Sequence, residues 1–171
     1  VIPALLRDFS FDCTDPAQYE HMLRSEWLAR NFDTDNSNGT FRAVGRKRRL
    51  RGFFISDCEY GTDSQVQFDG LPFVRQQFAV NETSSVTRVG RQEFKIDPHT
   101  SCIIPMNVDN AMRYSPGHRE LIVRIPPATL QSSLTSLIGV LPRSTLRFNG
   151  GPVKGGLCMG WSWGCSRGHR W

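Results

Sequence analysis

Few residues of this sequence stand where they could do chemistry. His118 and Glu120 share one face of a strand at i, i+2. A metal-binding β-barrel needs clustered ligands, usually two His one residue apart, a following Glu and a later His. The strand region supplies only His99 and His118, far apart and without that spacing. A solvated turn and strand start after Ser115-Pro116-Gly117 accounts for His118 and Glu120 better than a metal pair does. Cys102 could act as a nucleophile beside His99. No third group is evident, and the stretch Cys102-Ile103-Ile104 reads as a buried structural thiol. Cys158, Cys165 and His169 are zinc-ligand types at irregular spacing, which is a weak pattern. No HExxH, GxGxxG, Walker loop or GxSxG occurs.

The cations are more suggestive. Arg42, Arg46, Lys47, Arg48, Arg49 and Arg51 crowd one short stretch. They could touch phosphates. No helix-turn-helix, zinc finger or aromatic platform accompanies them, so a solvated hairpin tip is the expectation. Arg42, Arg75 and Arg88 fall within expected strands. An unpaired charge inside a barrel is costly, so an inward arginine there is a candidate for binding a carboxylate. Phe53, Ile55, Phe68, Phe73, Phe78 and Phe94 are expected to line the interior.

The elements that position these residues follow from periodicity. Thr14 and Pro16 read as the start of a helix reaching about Arg30, with Tyr19, Met22, Leu23 and Trp27 on one face. Short strands are expected at 40–44, 52–60, 66–68, 73–80, 86–89, 93–96, 101–105 and 121–125. Gly, Pro and Asn punctuate them, and no helix intervenes, so the sheet is antiparallel. Pro126-Pro127 ends that pattern. Leu130, Leu134, Leu137 and Ile138 then predict a second helix over 127–138, capped by Gly139.

The 171 residues suit one domain. No run of apolar residues is long enough for a membrane helix. Five scattered cysteines predict reduced thiols in a cytosol. The net charge of +5 is uneven: up to Asn149 there are 18 basic residues against 16 acids, and three more basic residues follow. The segment 150–171 holds seven of 15 glycines and three of four tryptophans, without acid, helical or strand period. It is read as a separate tail, out of frame or mis-joined.

The phrase ELIVRIPPATLQSSLTSLIG at 120–139, with Cys58-Glu59-Tyr60-Gly61 and Asp97-Pro98-His99 through Pro105 before it, carries a resemblance. It resembles the N-terminal, cupin-like domain of AraC-type (AraC/XylS-like) transcription regulators, over about Phe9 to Phe148. The resemblance implies a mainly β, cupin-like antiparallel barrel or jelly roll with an N-terminal and a following C-terminal helix, spanning 1–149. It implies a cytoplasmic bacterial regulator that is not an enzyme and needs no metal or cofactor. A small effector enters the barrel, helices outside it support a homodimer in the full-length regulator, and DNA is read by a further C-terminal domain beyond this chain. No membrane partner is implied. An aromatic carboxylate is the expected effector class, with Arg42, Arg75 and Phe78 as its contacts, because one charge and one ring match such a ligand. Two other classes make different expectations: a metal-dependent cupin enzyme, a dioxygenase or isomerase, using His99 and His118, and direct DNA binding through Arg42–Arg51.

Overall fold

A computed structural model describes residues 8–35, 40–140 and 148–155. The elements in chain order are β1 (Phe9–Cys13), α1 (Pro16–Trp27), β2 (Ala29–Thr34), β3 (Ala43–Leu50), β4 (Phe53–Tyr60), β5 (Ser64–Phe68), β6 (Val74–Ala79), β7 (Ser85–Val89), β8 (Gln92–Ile96), β9 (Thr100–Ile104), β10 (Asn110–Tyr114), β11 (His118–Ile125), α2 (Pro127–Ile138) and β12 (Gly151–Lys154). The strands form two antiparallel sheets. One is seven-stranded in the order β1-β3-β4-β11-β6-β9-β12, and the other is five-stranded in the order β2-β5-β10-β7-β8. The result is an open, jelly-roll-like sandwich rather than a closed barrel.

Helix α1 begins at Pro16 as expected, but its cap lies one residue later than Thr14. Asp15 Oδ1, not the Thr14 hydroxyl, accepts from the Ala17 amide at 2.9 Å. Pro16 at the first helical position loses no bond. The helix ends at Trp27, short of Arg30, because Leu28 turns into the left-handed region at φ 59°. Tyr19, Leu23 and Trp27 are buried, and Tyr19 and Trp27 pack against Phe9, Phe11, Phe32 and Phe41 at ring separations of 5.1–5.7 Å. This aromatic cluster closes one side of the sandwich.

Three strands lack a sequence signal: β2, which reads as a continuation of the helix, β10 and β12. Gly151–Lys154 pairs with β9 through its backbone, although it lies in the glycine-rich segment where no strand period is visible. Pro152 fits there because β12 is an edge strand of its sheet. The basic run is not a hairpin tip. Arg46 to Arg49 lie inside β3, and the turn itself is Arg51-Gly52, both at positive φ. Alternation sends Lys47 inward and Arg46 and Arg48 outward, and Arg49, near the strand end, is exposed as well. In β4 the buried residues are Phe54, Ser56, Cys58 and Tyr60, so Phe53 and Ile55 face away from the interior. Helix α2 forms where its leucines and Gly139 place it. None of its residues is buried, and Thr129 Oγ1 donates to the Gly52 carbonyl at 2.6 Å. Cys158, Cys165 and His169 lie outside the described residues.

Candidate functional site

Strand register arranges the interior face of the seven-stranded sheet in rows. Residues directly opposite each other on neighbouring strands share a face. One row runs Phe54, Arg124, Arg75, Ile104, and the next runs Lys47, Ser56, Ile122, Gln77, Cys102. Behind them come Cys58, Glu120 and Ala79, and then Tyr60 and His118. Across the gap the five-stranded sheet offers Phe68 and Asn110, then Val66, Met112 and Thr87, then Ser64, Tyr114 and Ser85. For a protein interior this is unusually polar.

Glu120 is the hub. Gln77 Nε2 donates to its Oε2 at 2.6 Å, and the Tyr60 hydroxyl donates to its Oε1 at 3.2 Å. The Thr87 hydroxyl holds Gln77 from the other sheet at 2.7 Å. Burial pushes the Glu120 carboxyl above its ordinary range, against the opposing pull of Tyr114, Arg75, Gln77 and Tyr60. His118 is fully buried. Its Nδ1 lies 3.1 Å from the Thr83 hydroxyl, and its ring stacks on Tyr114. Burial pushes its pKa down to about 4, so the ring is neutral near pH 7.

Arg75 crosses the sandwich. It donates from Nη2 to Asn110 Oδ1 and rests on the Phe68 ring at 4.5 Å. It is 1% exposed, and its Nε and Nη1 have no hydrogen-bond partner among the described residues. Burial pushes its pKa down to about 10. Arg124, also buried, donates from Nη1 to Ser56 Oγ, and its Nη2 has no hydrogen-bond partner among the described residues. Lys47 and Glu26 form a buried ion pair at 3.3 Å on the α1 side. Among the described residues the buried cations are therefore three, Lys47, Arg75 and Arg124, against two carboxylates, Glu26 and Glu120.

The structure separates the three expected effector contacts. Arg75 faces the interior. Arg42 precedes β3 and is exposed, held by Asp12 on β1 through two bonds of 3.0 and 2.7 Å. That carboxylate falls below its usual range through its hydrogen bond to Arg42. Phe78 is an odd number of residues from Arg75 on β6, so it lies on the opposite, half-buried face. Arg88 is exposed. His118 and Glu120 do share a face, but that face is buried rather than solvated. His99 sits exposed in the β8–β9 turn, its amide bonded to Asp97. Among the described residues no three His, Cys, Asp or Glu side chains gather to hold a metal ion. Cys102 is a fully buried free thiol, as its apolar context predicts, with its pKa pushed up by burial to about 11.

Sequence reasoning missed Arg124, Gln77, Asn110, Tyr60 and Tyr114. One signal was present: in HRELIVRI the alternation puts His118, Glu120, Ile122 and Arg124 on one face, and Leu121 and Val123 on the other. The polar face was the inner one.

Residues 20–161 match the family model of the AraC-binding-like domain. The chain belongs to that family. Among solved structures, the AraC-like transcriptional activator CuxR aligns over 77% of this chain and 52% of its own, with a TM-score of 0.60 and 11% identity. This AraC-binding-like domain thus shares a fold with that activator and spans about half its length. A cupin superfamily protein of Desulfitobacterium hafniense covers 49% of this chain and 77% of its own, with a TM-score of 0.44 and 10% identity. KdgF from a Halomonas species covers 57% and 86%, with a TM-score of 0.45 and 5% identity. No curated protein matches the domain in sequence. Among the described residues no helix is long and apolar enough to cross a membrane.

Proposed function

We propose that this AraC-binding-like domain is the ligand-sensing part of a bacterial, cytoplasmic AraC-type transcription regulator. It binds a small organic acid, an aromatic carboxylate by preference, between its two sheets and does not transform it. The signal passes to a DNA-binding domain of the full regulator, which acts as a homodimer. Arg75 carries this reading: a guanidinium at 1% exposure, stacked on Phe68, with two nitrogens that have no hydrogen-bond partner among the described residues. Buried donors without acceptors are expensive, and a bound carboxylate would satisfy them.

Isothermal titration with benzoate tests the reading. Arg75→Met should weaken binding about tenfold or more, since a hydrogen bond to a charged group is worth about 1.5–3 kcal/mol. Arg42→Ala should leave it unchanged, because Arg42 is spent on Asp12 at the surface. Undiminished binding by Arg75→Met removes the assignment.

A further inference from the structure

The register sets Arg124 of β11 directly opposite Arg75 of β6, with both side chains turned inward at 4% and 1% exposure. Directly opposed residues have Cβ atoms about 4.5–5.5 Å apart, and like charges there repel. Away from water the repulsion grows. Nearby countercharge is short. Both oxygens of Glu120 already accept from neutral donors, Gln77 and Tyr60, and Glu26 is paired with Lys47. Among the described residues one positive charge is left over in the buried set. Three guanidinium nitrogens, Arg75 Nε and Nη1 and Arg124 Nη2, have no acceptor among the described residues. Two aromatic faces border them: Phe68 at 4.5 Å from Arg75 and Trp27 at 6.0 Å from Arg124. An acceptor with two oxygens, one negative charge and an apolar body matches this set.

We propose that Arg124 is the second half of an anion clamp, and that Arg75 and Arg124 together bind the carboxylate of one small organic acid. The clamp rests on the effector-sensing reading above and sharpens it: the ligand's negative charge is required. Arg124 also lies two residues before Pro126, the N-cap of α2, so an anion held there acts on the strand that leads into that helix.

A purely structural Arg124, serving Ser56 and Trp27, makes the opposite prediction, and thermal unfolding of the full chain separates the two. Without added acid, Arg124→Met should raise Tm, because it removes the repulsion and an unpaired donor while keeping an apolar stem beside Trp27. Benzoate should raise the wild-type Tm, and benzamide, its neutral isostere, should not. The benzoate response should vanish in Arg124→Met and in Arg75→Met. A lower Tm for Arg124→Met together with an intact benzoate response overturns the clamp. Equal stabilisation by benzamide and benzoate also overturns it, while leaving the sensing reading in place. No response of the wild type to either compound overturns both.

Discussion

Tyr60 and Tyr114 stack across the two sheets, with ring centroids 4.0 Å apart and planes 7° from parallel. Tyr60 comes from β4 of the seven-stranded sheet and Tyr114 from β10 of the five-stranded one. Such a pair adds about 0.5–1.5 kcal/mol beyond the area it buries. It also aligns a hydroxyl, that of Tyr60, with Glu120. Tyr114→Ala should therefore cost about 3–5 kcal/mol in urea unfolding, as large aromatic deletions do. Tyr60→Phe keeps the stack and removes only the donor to Glu120, so about 1–3 kcal/mol is expected. Equal losses in the two variants would mean that the hydroxyl, not the stack, matters.

The Lys47–Glu26 pair ties β3 to α1 at 1% and 5% side-chain exposure, with Lys47 Nζ 5.0 Å from the centre of the Trp27 ring. A buried ion pair costs desolvation to assemble, so breaking it is worse than replacing it. Lys47→Met should destabilise by about 3–5 kcal/mol, the range for breaking a buried pair by removing one member. The double variant Lys47→Met with Glu26→Leu should regain most of that. A double-mutant cycle by chemical denaturation measures both; additive losses would show that the two side chains act independently.

What the sequence made legible was whatever follows from apolar period and backbone chemistry. Helix α2 is marked by Pro126-Pro127, by leucines at 130, 134 and 137, and by Gly139, which caps the helix at φ 74°. Most strands carry the same kind of mark. The interior was not legible, because the alternation rule assumes that polar residues face water. β6 and β11 invert it: Arg75, Gln77, His118, Glu120 and Arg124 point inward, while Phe78, Leu121 and Val123 face outward. The same assumption turned β3 into a hairpin tip, since Arg46-Lys47-Arg48-Arg49 looks solvated until Glu26 of α1 is seen facing Lys47. Such inversions need a compensating network, which only three-dimensional pairing reveals. β12 was missed for a different reason: its strand is made by backbone pairing with β9.

Helix α2 presents Leu137 at 83% and Ile138 at 52% exposure. If α2 serves the proposed homodimer, Leu137→Glu should convert a dimer to a monomer in sedimentation velocity. The same change should move the unfolding free energy of the protomer by no more than about 0.5 kcal/mol, because Leu137 packs against little within the chain. A wild-type chain that sediments as a monomer at high concentration would exclude α2 as a sufficient contact.

His118 should give the fold a dependence on acid. Its folded pKa is about 4, while an unfolded histidine titrates near 6.5. The shift is downward for a base, so the unfolded chain binds the proton first as pH falls. Stability is then complete above about 6.5 and is lost progressively between 6.5 and 4, by at most about 3 kcal/mol. Glu120 works in the other direction. Its folded pKa is raised, so its contribution is present below the ordinary carboxylate pKa and fades as pH rises through the folded value. Comparing wild type with His118→Phe cancels the Glu120 contribution, because both proteins carry it. Phenylalanine keeps a ring against Tyr114 and cannot titrate. The difference in unfolding free energy between the two proteins should therefore shift in favour of His118→Phe as pH drops from 7 to 4.5, measured by urea titration at each pH. A difference that stays flat across that range would show that His118 titrates normally in the folded protein and is less enclosed than its burial and its stack on Tyr114 indicate.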